Sequence, residues 1–359
     1  MKINYFYIML FSFLITIAYS RSMEFTSCKT YTNVEKNLEA AEEWGLKALE
    51  VEPDNSYIPF FIGQFIYRKQ KRRLEAGKMF LDALNKSDTR LESPFRIGKD
   101  TWINTVHQAI TREAYNWFNY GVEASEKGQY DDAVEHFMIA SKLDSGLTGS
   151  CYNAIATIYY SNKKDLNKAL EFIDIALNET KDEKIILELK INKATYLRKN
   201  NKLDEAAEIL SNIPNDELNK SAKYELFLLH MDSNDCPSAI TLGKALFIDM
   251  EIDPKVSMGA LSELAFNIGV CFNQEADRMY NQLIDYLGAE IHSNDLTTIE
   301  LERCEETKES YSSAKEYFRT SLNYDETSSE TTKAYKKEMR ANIRKVDEQI
   351  IPTLESLLK

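Results

Sequence analysis

The side chains best suited to hold a metal or to act as nucleophile and base are scarce in this chain. Its 359 residues include four histidines (107, 136, 230 and 292) and five cysteines (28, 151, 236, 271 and 304). Cys271, His292 and Cys304 are the one set that could be imagined as ligands, but they lie 21 and 12 residues apart. Structural zinc sites instead bring their ligands in close pairs. There is no HExxH, no GxSxG and no glycine-rich phosphate loop. Glu135-His136 is expected on a solvated helix face, and the acidic pairs Glu42-Glu43, Asp131-Asp132 and Glu305-Glu306 on solvent faces or in a polar loop. No catalytic, cofactor-binding or metal-ligating residue is assigned, and the chain is read as a non-enzyme. Cys151 and Cys271 are expected as small core residues.

The elements around these residues carry a stronger pattern. In "GVEASEKGQYDDAVEHFMIA", residues 121–140, Gly121, Ala133 and Ala140 are small, while Tyr130 and Phe137 between them are large, with Trp117 and Tyr120 just before. Helical periodicity over roughly 114–127 and 130–143, broken at Lys127-Gly128, predicts two antiparallel helices. The small positions let the helices approach and the large ones fill the gaps.

The second-helix signature recurs. Its leading alanines are Ala41, Ala76, Ala133, Ala169, Ala206, Ala239 and Ala314, at intervals of 35, 57, 36, 37, 33 and 75 residues. Further small and large positions follow in phase: Ala48, Phe80, Ala83, Ala176 and Phe318, with Gly63 and Gly269 in the preceding helices. A helix pair of this size cannot bury its apolar face alone, so tandem pairs must share a continuous core.

These residues resemble a tetratricopeptide repeat, a unit of about 34 residues, although Ala124 and Ser145 depart from its pattern. The resemblance covers roughly residues 34–325 and is clearest over 114–147, 148–183 and 184–217. It implies an all-α solenoid of about six to seven stacked antiparallel helix pairs. Residues 326–359 are expected as a capping helix. In the longer intervals, 93–100 read as a loop before a helix starting near Thr101, and 288–310 as a polar excursion after a long helix at 260–287.

Residues 1–20 hold one early lysine, an uncharged apolar run and "AYS", the layout of a cleavable secretory signal. The run spans about 24 Å as a helix, short of the roughly 30 Å hydrocarbon core. Residues 21–33 are expected as a flexible spacer, and the exported chain as periplasmic or envelope-associated. Membrane attachment is expected only through an uncleaved signal helix or a lipidated Cys28. A formal net charge of −13 argues against nucleic acid as a partner.

The resemblance implies that the first helix of each pair lines an inner, partner-binding face. Taking Gly63, Gly121, Ala156, Ala194, Phe227 and Gly269 as packing anchors, the positions three before are Phe60, Phe118, Asn153, Ile191, Tyr224 and Phe266. One after them come Gln64, Val122, Thr157, Thr195, Leu228 and Val270. The two sets are four apart and share one helix face. A largely apolar lining suited to a hydrophobic peptide or protein partner is expected, with burial between repeats as the competing reading for the aromatics. The expected function is a non-catalytic interaction scaffold. The alternatives are a tethered envelope assembly component, and an enzyme with its site in 288–310.

Overall fold

A computed structural model of the protein describes residues 22–97, 101–214, 219–287, 298–325, 330–350, 352 and 355–356. The expected signal, 1–20, lies outside them. The chain is an all-α helix-pair stack of solenoid type, divided into two compact units, one ending at Leu189 and the other beginning at Lys190.

In the first unit the helices, taken two by two, are α1 (Met23–Thr30) and α2 (Leu38–Val51), α3 (Tyr57–Phe61, continuing as a π-helix over Ile62–Tyr67) and α4 (Arg73–Leu84), α5 (Val106–Glu126) and α6 (Tyr130–Leu143), and α7 (Thr148–Ser161) and α8 (Leu166–Glu179). Helix α9 (Glu183–Lys199) carries the division between units. The second unit continues with α10 (Leu203–Ser211), α11 (Lys220–Asp232), α12 (Cys236–Glu251), α13 (Met258–Leu287), α14 (Thr298–Tyr324) and α15 (Glu330–Lys345).

Each second helix from α2 to α12 begins three residues before its leading alanine. These alanines, Ala41, Ala76, Ala133, Ala169, Ala206 and Ala239, are fully buried, as the small positions of the pattern require. Two residues before each of these helices stands a left-handed residue: Lys36, Lys71, Gly128, Lys164, Asn201 and Asn234. That one conformation reverses the chain within a tight turn. Several side chains then cap the helix that follows: Asn37 accepts from the Ala40 N–H, Asp165 from Lys168 and Asp235 from Ser238.

The alternation of small and large residues is visible atom by atom. A Cβ on Gly63 would lie 2.8 Å from the Phe80 ring and 3.0 Å from the Ala76 carbonyl oxygen, so α3 and α4 touch backbone to backbone at this point. On Gly121 a Cβ would lie 2.7 Å from Phe137, and on Gly269 2.8 Å from Phe318. One pair exchanges the partners, with Phe227 on the first helix and Gly243 on the second, again at 2.8 Å. Gly77 likewise makes room for Trp117, whose Nε1 lies where a Cβ would sit 2.4 Å away. The Trp117 ring meets Phe80 at 5.0 Å, tilted by 57°. Tyr130 is half-buried, and its hydroxyl accepts from Asn162 Nδ2 at the end of α7. Ala140 and Ala176 are buried as well.

Four expectations are corrected. Residues 23–35 are helical rather than a loose spacer. Ser22 caps α1, Phe25 meets Phe61 edge-on at 5.5 Å, and Cys28 is fully buried. Two turns of helix with one buried stripe are too short to show periodicity in sequence. Two antiparallel strands, β1 (Arg90–Ile97) and β2 (Thr101–Thr105), stand in place of a loop and helix start. The helix begins at Val106, because the capping box is Thr105 with Gln108. Of the expected excursion, 298–310 belongs to α14, with Cys304 and Thr307 buried, and 288–297 lies outside the described residues. His136 is buried on α6 beside Tyr120, not solvated, with its ring centroid 5.8 Å away.

Helix α15 rests on α14. Ile343 packs toward Ala314 and Phe318, and Lys315 pairs with Asp347 in the π-helical turn Val346–Ile350.

Candidate functional site

The second unit brings three of the residues expected on the inner face into one groove of about 400 Å³. Ile191 and Thr195 come from α9 and Tyr224 from α11, the first helices of successive pairs, with Glu263 of α13 completing the series. Residues 191 and 195 are one turn apart, so both point to the same side. Thr195 returns its hydroxyl hydrogen to the Ile191 carbonyl at 3.0 Å. The floor is apolar, with Met250 at the end of α12, Val256 in the following turn and Ala260 at the start of α13.

The polar groups are fixed. Asn219 caps α11 by accepting from Ala222 N–H at 2.9 Å, which sets Lys220 and Ser221 at the rim. Lys220 pairs with Asp253. Tyr224 donates to Glu263 Oε1 at 3.1 Å, tying two first helices together across the groove. Burial, followed by that carboxylate, pushes the Tyr224 phenol well above its ordinary range, so it stays a neutral donor.

Directly beneath lies a buried ion cluster. The Arg198 side chain, 3% exposed, reaches Glu225 through Nε and Asp232 through a terminal nitrogen at 2.6 Å. Burial works against the Arg198 charge, and the two carboxylates outweigh it. An apolar floor between polar rims is suited to receiving an apolar side chain.

The remaining inner-face positions are dispersed. Phe60 is buried and, with Gln64, borders a different cavity in the first unit. Phe118 is spent on Phe137, ring to ring at 5.2 Å, and Phe266 on Phe318 at 5.6 Å. Leu228 and Val270 pack against core clusters of the second unit. Asn153 donates to Glu188 at 2.8 Å, while Val122 and Thr157 are exposed. For the aromatics, packing within and between pairs therefore accounts for most of the stripe. Reading the sequence missed Met250, Val256 and Lys220, which reach the groove from a helix end and turns. No single-helix period marks them.

The other candidates for chemistry are structural. His107 Nε2 lies 3.1 Å from the Ala83 carbonyl and His230 pairs with Asp235 at 3.1 Å. His292 lies outside the described residues. All five cysteines are buried as free thiols. Burial pushes Cys28 to about 11, and Cys151 and Cys271 to about 12, the range of inert thiols. Among the described residues no cluster of potential ligands is placed to hold a metal, and no helix is long and apolar enough to cross a membrane.

Comparison with known proteins finds no matching family model. Over 98 residues, 26% of this chain, it is 30% identical to the photosystem I assembly protein Ycf3 of Synechococcus sp. (strain CC9902). The chain spans 56% of that relative's length. Among solved structures it is similar to a tetratricopeptide repeat protein from Parabacteroides merdae, with a TM-score of 0.37 and 16% identity, covering 89% of this chain and all of that one. It is also similar to Pseudomonas aeruginosa PilF, with a TM-score of 0.32 and 16% identity, covering 65% of this chain and 93% of that one.

Proposed function

We propose that the protein is a non-catalytic adaptor that holds a protein or peptide partner through an apolar side chain seated in the groove of the second unit. One observation carries this reading: Ile191 and Tyr224, equivalent positions of successive first helices, converge with Thr195 on a single apolar floor with a polar rim. Helix-pair arrays present such continuous surfaces to extended ligands. The partial likeness to an assembly protein supports a role in assembling other proteins rather than in turnover. The apolar run of residues 1–20 supports export, with the mature chain acting in the periplasm or cell envelope.

Tethering through a lipidated Cys28 has little support, because its thiol is buried beneath Gly45, 3.2 Å from where a Cβ there would sit. Mass spectrometry of the mature chain is expected to find an unmodified amino terminus near Arg21 and an unacylated Cys28.

A photo-crosslinking residue at Thr195 tests the groove in the native envelope fraction. The expected result is one crosslinked protein species that disappears when Ile191→Asp is added. The same crosslinking residue at exposed Ile248 is the control. Equal capture from both positions, or capture unaffected by Ile191→Asp in a chain that melts normally, would overturn the assignment.

A further inference from the structure

The β1–β2 strand pair is foreign to the helix-pair pattern, and β1 borders a second cavity, of about 390 Å³, in the first unit. Its walls are Tyr57, Phe60, Phe61 and Phe65 of α3 and Leu91 and Phe95 of β1. The rings already interlock. Phe61 and Phe65 are 4.9 Å apart, and Phe60 meets Phe65 edge-on at 6.5 Å. Polar groups are confined to a few places: the Lys29–Glu92 ion pair, Asn33, Ser93 and Gln64.

Two features separate this cavity from an ordinary packing gap. Of the three π-helical segments among the described residues, two border it: Tyr31–Glu35, which carries Asn33, and Ile62–Tyr67, which carries Gln64 and Phe65. A π turn gives up regular i→i−4 pairing and widens the helix, a cost that recurs at functional sites. Second, Gln64 is half-satisfied. Arg68, itself held by Glu113 at 2.8 Å, donates to the Gln64 carbonyl oxygen at 2.7 Å. This fixes the amide orientation. The Gln64 NH₂ has no partner among the described residues and remains a donor at the cavity wall.

We propose that this cavity is a binding site for a small planar aromatic molecule bearing a hydrogen-bond acceptor, such as a carboxylate or carbonyl. The ring inserts among the phenylalanines, where edge and face contacts add to simple burial. The acceptor meets the Gln64 amide. Lys29 stands at the same cavity but is paired with Glu92, so charge there is balanced and the Gln64 amide is the donor that orients the acceptor. A volume of this size lies in the range of small-molecule sites, with an aromatic wall on one side and polar residues on the other. The site lies in the first unit and is independent of the groove assigned above.

Calorimetric titration with 1-naphthoate, using the full chain, tests the proposal, with cyclohexanecarboxylate as the non-aromatic control. Saturable 1-naphthoate binding with Kd below about 1 mM is expected, at least tenfold tighter than the control. Ser93→Trp and Asn33→Trp each place a ring in the cavity from an exposed position. Binding should be lost in whichever of them melts like the parent. Gln64→Leu should weaken 1-naphthoate about tenfold, and Ile248→Ser, at an exposed position of the second unit, should change nothing. No saturable binding by the parent chain, no preference over cyclohexanecarboxylate, or binding that survives a folded filled variant would each overturn the proposal.

Discussion

Single positions already dictate how closely the helices approach. Where the first helix carries Gly121, the second carries Phe137; at the corresponding positions of the next two pairs the buried residues are Ala156 and Ile173, then Ala194 and Leu210, a larger small residue and a smaller large one. Total volume is conserved across pairs even as its distribution shifts. Gly121→Ala gains about 1 kcal/mol of helix propensity but sets a methyl 2.7 Å from the Phe137 ring, an overpacking that costs about 1–3 kcal/mol. The net expectation is a modest loss in urea denaturation. Adding Phe137→Ile should make the double variant more stable than the two separate losses imply, by about 1 kcal/mol; strict additivity would show that the glycine does not face the ring. His136 offers a second test. Burial, aided by Arg73 and opposed by Asp132, Glu135 and Glu123, holds its pKa below the ordinary value. The unfolded chain therefore takes up this proton first, near pH 6.5, and stability falls as pH drops through and below that point. Thermal melts between pH 7.5 and 5.5 should decline more steeply for the parent than for His136→Gln, and parallel slopes would refute the assignment.

Whole elements add a constraint that no one side chain reveals: the turn before each second helix. Five of the six left-handed positions are Lys or Asn, at a cost of about 1–2 kcal/mol relative to glycine. Gly128 alone is relaxed there, with open space around the missing Cβ. Gly128→Ala should therefore lose about 1 kcal/mol through the backbone alone, and Lys164→Gly should gain a few tenths to 1 kcal/mol after the entropy of a freer unfolded chain is offset. Chemical denaturation of both variants checks the pair, and opposite signs are the prediction. The Arg198 cluster joins α9 to α11 in the same spirit. Arg198→Met strands Glu225, whose side chain is 8% exposed, and is expected to cost about 3–5 kcal/mol. Arg198→Met with Glu225→Met should recover most of that loss. Helix pairing was legible because small and large residues recur in phase, which is why α6 was bounded correctly at 130–143. The turns were not, since a lysine does not advertise a positive φ. Nor was the β1–β2 strand pair, because "TWINT" is too short to reveal its alternation and Thr101 mimics a cap. The groove was half-legible: periodicity reached Ile191, Thr195 and Tyr224, but its floor comes from segments remote in sequence.

At the level of the molecule, an array of helix pairs behaves as a nearly one-dimensional system in which each pair draws stability from its immediate neighbours. Trp117 of α5 reaches back to Phe80 and Gly77 of α4, and Tyr130 of α6 forward to Asn162 after α7. In the second unit, Phe247 of α12 touches Tyr317 and Tyr324 of α14. Damage introduced in one pair should therefore stay near it, unlike in a domain built around a single core, where loss of one residue loosens every element. Hydrogen exchange on Gly121→Ala puts this to the test. Amides of α4 to α7 are expected to exchange faster than in the parent, while those of α13 and α14, locked by Gly269 against Phe318 and by the buried Ser262–Ser321 hydroxyl pair, should exchange at the parental rate. Uniform acceleration through both units would mean that the chain opens as one cooperative body. Binding at the proposed groove would then depend on packing in the first unit as well as on the pairs that line it.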